Sequence, residues 1–231
     1  MSRIAMLVVL AVLGVFVGAL TSAGSRAQTT AAACPPAADA DVTPRGTGLS
    51  VALEGDDPPE AIDVLQHSKG KKVVNARRVA RVAVDEGRAV WDGEATVSGR
   101  DVSDGVYVLR AGSVETVVRR SRGRWFERPA AETSRACGLV RDLRAVKPAF
   151  GGTSRQTLRV TYRVAAEATV GVEVLYGGKV ISRTRPGVRK AGVTYTLRLP
   201  AKGLPRGEYT FRLTASRGTD EVTARVVSRR V

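Results

Sequence analysis

The feature that most constrains the fold is a set of short alternating segments that recurs, in the same order, in two halves of the chain. Leu49, Val51 and Leu53 alternate with small or polar residues, and residues 158–162 repeat the pattern. Alternation with period two predicts half-buried strands. The chain is therefore predicted to carry a duplicated all-β domain. Four further matches follow: 62–65 with 172–175, 72–74 with 179–181, 87–91 with 192–196, and 105–109 with 207–211.

The spacing of these segments predicts β-sandwiches. Strand-like segments begin roughly every 10 residues and are bounded by Gly, Pro, Asp or Ser, which is typical of a sandwich or a barrel. No helical period follows the N-terminal apolar run. Gly112 and Gly218 lie between consecutive strand-like segments. They predict two hairpin turns, because glycine tolerates a positive φ.

The N-terminus has the layout of a secretory leader. Arg3 precedes an uninterrupted apolar run of 17 residues from Ile4 to Leu20, and small and polar residues follow. This layout predicts export, with cleavage after Ala23 or Ala27. A run of this length is also at the lower limit for a membrane span, so an uncleaved anchor is the alternative. In both cases we expect the rest of the chain outside the cytoplasm, secreted or associated with the cell envelope.

The two cysteines flank the first repeat. Cys34 precedes it and Cys137 follows it, and a pair of cysteines outside the cytoplasm tends to form a disulfide. Such a bond would close a loop of roughly 100 residues and add about 4 kcal/mol in the chain-entropy model. Two free thiols are the alternative. Lipidation of Cys34 is disfavoured, because residues 31–33 are all alanine and lack the usual leucine.

These features divide the chain into five parts. Residues 28–45 are rich in Ala, Thr and Pro without a strand pattern, which is typical of a tether. The segment before Cys137 is rich in Pro, Ala and Glu and is predicted to be a linker. The predicted parts are a signal peptide or anchor at 1–27, a tether at 28–45, a first sandwich at 46–128, a linker at 129–137 and a second sandwich at 138–231.

Residues 87–111 resemble the FlgD-like immunoglobulin-like repeat, named after the flagellar hook capping protein. In that family one strand ends in Trp-Asp-Gly and a later strand begins with Gly-x-Tyr. The second repeat keeps Gly207 and Tyr209 but has Thr196-Leu197-Arg198 at the middle motif. The resemblance implies tandem immunoglobulin-like β-sandwiches that act as a scaffold or spacer at the cell surface. The matching residues of the first repeat are Trp91, Asp92, Gly93, Gly105 and Tyr107.

The motif residues also have structural roles that follow from their chemistry. The large ring of Trp91 is expected to pack in the core between two sheets. Asp92 and Gly93 are expected to form the turn that leaves the strand. Tyr107 and Tyr209 are expected to cover the edge of each core, with their hydroxyl groups in water.

The residues that catalysis requires are scarce. His67 is the only histidine, so a catalytic triad or a site with several histidines would depend on it. It lies in the polar segment QHSKGKK, which predicts a solvated turn rather than a strand. No glycine-rich phosphate loop leads from a strand into a helix. We therefore predict no enzyme, and no catalytic, cofactor or metal site.

The chain is strongly basic, with a formal net charge of +15, and 30 of its 37 basic residues are arginine. Such a charge indicates either an anionic partner or a proteome that uses arginine on every surface. Guanidinium groups beside aromatic rings can hold anions. Alternatively, this segment is a solvated hairpin tip with its Trp folded into the core. The candidate anion-binding patch comprises Arg119, Arg120, Arg122, Arg124 and Trp125.

The sequence therefore predicts a non-catalytic exported module that acts as a spacer or in adhesion. The alternative is a basic module that binds an anionic envelope polymer or a membrane surface. The partner would be a protein or an anionic polymer. Nucleic acid is not expected outside the cytoplasm, and membrane contact is expected only through an uncleaved N-terminal segment.

Overall fold

The computed structural model describes residues 40–55, 57–127 and 138–231. These residues form 19 strands and no helix, so the all-β prediction is confirmed. It follows that no helix able to cross a membrane occurs in these three ranges. The predicted leader at 1–27, residues 28–39, the linker at 129–137, and therefore Cys34 and Cys137, lie outside the described residues. Export and the disulfide stay predictions.

The strands before the linker form two sheets that face each other across a core, here called the N-terminal sandwich. One sheet has the strand order β1-β2-β5 and the other β10-β9-β8-β3-β4, while β6 and β7 form a separate ribbon. The strands are β1 (Ala40–Arg45), β2 (Gly48–Leu53), β3 (Ala61–Lys69), β4 (Lys72–Ala83), β5 (Arg88–Trp91), β6 (Glu94–Ala95), β7 (Arg100–Asp101), β8 (Gly105–Ala111), β9 (Val114–Ser121) and β10 (Arg124–Glu127).

The strands after the linker form a second pair of sheets, the C-terminal sandwich. One sheet has the order β11-β13-β17 and the other β12-β19-β18-β14-β15, with β16 also paired to β14. The strands are β11 (Val140–Ala145), β12 (Ala149–Phe150), β13 (Leu158–Val164), β14 (Ala168–Tyr176), β15 (Lys179–Arg183), β16 (Gly187–Arg189), β17 (Tyr195–Leu199), β18 (Gly207–Arg217) and β19 (Asp220–Arg230).

The two sandwiches share one strand order. Strands β2 and β5 occupy the places of β13 and β17 in the smaller sheets, and β8, β3 and β4 occupy those of β18, β14 and β15 in the larger sheets. The five matched sequence segments fall on these five strand pairs. The strand order therefore reproduces the internal repeat that the sequence predicts.

The structure corrects one detail of the internal alignment. Trp91 pairs with Leu49 in the first sandwich, and Leu199 pairs with the equivalent Leu158 in the second. Leu199 is therefore the counterpart of Trp91, and Leu199-Pro200-Ala201 replaces Trp-Asp-Gly. Matching Gly87 with Gly192 in the sequence aligns Thr196-Leu197-Arg198 with this motif instead, because the two glycines lie in loops of different length.

Each sandwich has its own core between its two sheets. Strand alternation points residues into these cores, as in β13, where four buried residues alternate with three that face outward. The N-terminal core contains Val42, Leu49, Val51, Ile62, Val64, Trp91, Tyr107, Leu109, Val118 and Trp125. The C-terminal core contains Leu143, Phe150, Leu158, Val160, Tyr162, Val172, Tyr209, Phe211, Leu213 and Val226.

Two local predictions have opposite outcomes. Both hairpins are confirmed, since Ala111 pairs with Val114 across the turn at Gly112, and Arg217 pairs with Asp220 across Gly218. The tether prediction is wrong for residues 40–45, which form β1 and place Val42 in the core at 1% exposure. A strand at a sheet edge tolerates a proline such as Pro44, because it needs hydrogen-bond donors on one side only.

Candidate functional site

Both tryptophans lie in the N-terminal core. The centroid of the Trp125 ring is 5.2 Å from that of Trp91 and 5.3 Å from that of Tyr107. The Trp125 indole N–H donates to the carbonyl oxygen of Thr47 at 2.6 Å, and the Trp91 indole N–H donates to that of Glu94 at 2.8 Å. Buried indoles with satisfied N–H groups stabilise the core. Neither ring is available to a ligand.

The Trp-Asp-Gly segment forms a turn whose atoms are tightly packed. One carboxylate oxygen of Asp92 accepts a hydrogen bond from the backbone N–H of Glu94 at 2.8 Å. Gly93 has a φ of 92°, and a Cβ at this position would overlap the carbonyl oxygen of Thr47. Glycine is required here both by the backbone conformation and by the close approach of the turn between β1 and β2.

The Gly-x-Tyr motif has the same geometry in both sandwiches. Each tyrosine is fully buried, and its hydroxyl donates to a backbone carbonyl oxygen four residues earlier: Tyr107 to Ser103, and Tyr209 to Pro205 at 2.7 Å. The prediction that these hydroxyls lie in water is therefore wrong. The glycines allow close approach, since a Cβ on Gly105 would overlap the carbonyl oxygen of Ser68. On Gly207 it would lie 2.8 Å from the ring of Tyr176.

The candidate anion-binding patch does not form one surface. Trp125 is 4% exposed and Arg120 is 5% exposed. Arg120 donates to the carbonyl oxygen of Val102 and pairs with the carboxylate of Asp101 at 2.7 Å. Its charge is therefore neutralised by a carboxylate of the protein itself. Arg122 and Arg124 are exposed at the tip of the β9–β10 hairpin. Two of the five patch residues are therefore buried, and two are exposed at the hairpin tip.

Arg119, the remaining member of the patch, lies on the outer face of the larger sheet. Its guanidinium carbon is 4.3 Å from the ring centroid of Phe126, which is opposite it on β10. Burial lowers the pKa of Arg119, and repulsion by Arg229 of the C-terminal sandwich adds to this effect, while Glu208 of that sandwich opposes it. Arg119 therefore belongs to the junction between the two sandwiches.

The junction is apolar. The outer face of β3, β4, β8 and β9 carries a cluster of buried valines and a leucine, and Ala149 of the C-terminal sandwich packs into this cluster at 0% exposure. Polar contacts flank it: the backbone N–H of Thr153 donates to the carbonyl oxygen of Lys71 at 3.1 Å, and the amine of Lys147 donates to Asn75 at 3.3 Å. The junction cluster consists of Leu65, Val73, Val106, Val108, Val117, Ala149 and the half-buried Val231.

His67 lies beside this junction, in strand β3, so the prediction of a solvated turn is wrong. It is half-buried, and its Nδ1 atom is buried without a hydrogen-bond partner. Burial lowers the pKa of His67. Lys147 and Arg110 lower it further, and Glu115 opposes them. The imidazole is therefore held in its neutral form.

We expect protonation of His67 to make the protein less stable in mildly acidic solution than at neutral pH. The folded pKa lies below the ordinary value of 6.5, so the unfolded chain binds the proton first as the pH falls. Stability is thus lost as the pH falls through 6.5 toward the folded pKa. Urea unfolding at several pH values measures this loss, and the variant His67→Gln is expected to lose less. Equal losses in the two proteins would contradict the prediction.

A second group of arginines, which are dispersed along the sequence, lies on the smaller sheet of the C-terminal sandwich. Arg144, Arg159, Arg163 and Arg198 are exposed on the outer face of β11, β13 and β17. Within LRVTYRV, the alternation with apolar residues indicates that Arg159 and Arg163 face outward. By contrast, no group of three or more His, Cys, Asp or Glu side chains in the described ranges is arranged to hold a metal ion.

Comparison with known proteins identifies no family for this chain. No protein-family model matches the chain, and no curated protein matches it. The solved structures that it resembles include the group B Streptococcus pullulanase SAP, with 15% identity and a TM-score of 0.27. The match covers 79% of this chain and 23% of that chain, so this chain spans about a quarter of the pullulanase. A TM-score this low carries no argument about fold or activity.

Proposed function

We propose that the chain is an exported, non-catalytic module of two tandem immunoglobulin-like β-sandwiches that acts as a rigid spacer or adhesion-type element of the cell envelope. Export follows from the apolar run after Arg3 and the small residues that follow it. The FlgD-like assignment and the disulfide between Cys34 and Cys137 belong to the same proposal. The Trp-Asp-Gly and Gly-x-Tyr segments support the FlgD-like assignment. The two cysteines that flank the first repeat support the disulfide.

Strand order and the two buried tyrosines support the immunoglobulin-like assignment. In such domains the first, second and fifth main strands share one sheet, and the third, sixth and seventh share the other. The main strands β1, β2, β3, β4, β5, β8 and β9 follow this arrangement, with β4 added beside β3. A tyrosine near the start of the sixth strand that donates to the backbone just upstream is a hallmark of the fold. Tyr107 and Tyr209 have this position and this bond.

The apolar junction is the observation that carries the spacer role. Val106 is 2% exposed and Val108 is 4% exposed, although both lie on the outer face of a sheet that would otherwise be in water. Burial of such side chains contributes roughly 1.5–3 kcal/mol each. A junction of this kind restrains the angle between two sandwiches, as a spacer of fixed length requires. Interfaces that allow hinge motion are more polar.

Small-angle X-ray scattering of the full chain tests this role. We expect one fixed arrangement of the two sandwiches to account for the scattering curve, and the curve to be unchanged between low and high salt, since apolar contacts are not screened. Scattering that requires an ensemble of orientations would rule out a rigid spacer. The location is checked separately, by protease treatment of intact cells, with a variant lacking residues 4–20 as the control.

A further inference from the structure

The outer face of the smaller C-terminal sheet carries an array of arginines. Here the arginine face is defined as Arg144 on β11, Arg159 and Arg163 on β13, and Arg198 on β17, together with the threonines between them, Thr161 and Thr196. The opposite face of the same strands is apolar and belongs to the core. The strand alternation therefore holds all four guanidinium groups on one side of one sheet.

The register places like charges next to each other. Arg159 lies directly opposite Arg198, and Arg144 lies opposite Thr161, which lies opposite Thr196. Adjacent strands are roughly 4.8 Å apart, and alternate residues of a strand roughly 6.7 Å apart. Like charges directly opposite each other on a sheet destabilise it. An anion bound over the pair would remove that repulsion.

The face carries little negative charge. Asp142 is its one carboxylate and lies 3.7 Å from Arg163, while Arg144, Arg159 and Arg198 have no ion pair within the described part of the chain. The larger sheet of the same sandwich differs. There Glu173 pairs with Arg183 at 2.7 Å and also with Arg212. The arginine face is therefore short of counterions where a neighbouring face is not.

The equivalent face of the N-terminal sandwich argues against a purely compositional origin. On β1, β2 and β5 the outward residues in matched rows are Thr43, Ser50 and Val90, then Asp41, Ala52 and Arg88. With Arg45 at the end of β1, this face carries two exposed arginines and one aspartate, against four arginines and one aspartate on the arginine face. A proteome-wide use of arginine would enrich both faces, since the two sandwiches belong to one chain. The cluster is specific to the second sandwich.

We propose that the arginine face binds a linear, phosphodiester-linked envelope polymer. Guanidinium groups bind oxyanions through two parallel hydrogen bonds, and the exposed Thr196 adds a hydroxyl donor between them. The arginines are spaced both along the strands and across them. Such an array suits a polymer with repeated charges better than a single anion. No exposed large hydrophobic residue belongs to these three strands, as insertion into a lipid surface would require; Val146 and Val193 lie just beyond strand ends. The inference names a partner for the proposed module.

Binding of a fluorescent glycerol-phosphate oligomer to the purified chain, in the form that cells produce, tests the proposal. The variant Arg144→Ser, Arg159→Ser, Arg163→Ser, Arg198→Ser is expected to lose affinity by at least about tenfold. The slope of log affinity against log salt should fall by about 3, since each of four single-strand phosphate contacts contributes roughly 0.7. The matched control replaces Arg77, Arg81, Arg217 and Arg225, which are equally exposed, and is expected to lose less than about threefold.

Further measurements separate the alternatives. The unfolding midpoint of the four-serine variant should equal or exceed that of the wild type, because the repulsion between Arg159 and Arg198 is removed. Equal losses in both variants would assign binding to net charge and overturn the proposal. So would equal affinity for a DNA oligonucleotide with the same number of phosphates, or binding only to anionic lipid vesicles. Because this assay uses purified protein, its failure leaves the export and scattering results standing.

Discussion

Replacing Trp125 with alanine is expected to lower the free energy of unfolding by about 3–5 kcal/mol. The ring is 4% exposed and packs against Trp91 and Tyr107 at centroid distances of 5.2 and 5.3 Å. Its removal leaves a large cavity between the two sheets. It also removes the indole donor to the carbonyl oxygen of Thr47, which adds the loss of one hydrogen bond.

Urea unfolding followed by circular dichroism measures this effect without relying on tryptophan fluorescence. The control is Phe126→Ala, the next residue on the same strand, which points to the opposite face and is 41% exposed. It is expected to cost less than about 1 kcal/mol. A second variant, Trp125→Phe, keeps a ring but loses the donor and should fall between the two. If Trp125→Ala costs no more than Phe126→Ala, the ring is not part of the core.

The repeated strand order could be predicted from the sequence because alternation reflects burial directly. Leu158 and Val160 alternate with Arg159 and Thr161, and the structure buries the first two and leaves Arg159 exposed. Such a pattern depends only on one face of a sheet meeting a core. Local turns were predictable for a similar reason, since Gly112 and Gly218 have φ values of 58° and 60°.

The junction was harder to predict because it depends on a partner distant in sequence. The segment GVYVLRA contains four consecutive apolar residues at 106–109, and in β8 all four are buried. A continuous apolar run is typical of a strand covered on both faces. That signal was available in the sequence. However, nothing local to QHSKGKK indicates that the outer face beside His67 is covered by another sandwich.

The positions of the arginines were also hard to predict, because they depend on residues that are distant in sequence. The segment RRSRGRW concentrates charge along the sequence, but the strand alternation turns Arg120 inward toward Asp101 and Val102. The arginine face is dispersed along the sequence and becomes a cluster only through strand pairing, which places Arg198 opposite Arg159. Charge density in the sequence therefore predicted a patch whose members the fold does not bring together on one surface, because register rather than proximity along the chain decides which side chains meet.

Replacing Val108 with aspartate is expected to separate the two sandwiches. Val108 is 4% exposed and lies between Leu65 and Val117 in the junction cluster, with no cation directly opposite it. A carboxylate there would lose its hydration and gain no partner, so the junction is expected to weaken by on the order of 3 kcal/mol. Since Val108 points away from the N-terminal core, each sandwich should keep its own fold.

Calorimetry distinguishes this outcome from general destabilisation. We expect the wild type to unfold in one transition and the variant in two, because coupling between the sandwiches passes through the junction cluster. Scattering should then require several orientations. Val97→Asp, at a loop residue that is 91% exposed, introduces the same charge and should leave the single transition unchanged. Were Val108→Asp also to unfold in one transition with a fixed scattering curve, contacts outside the apolar cluster would have to hold the spacer rigid.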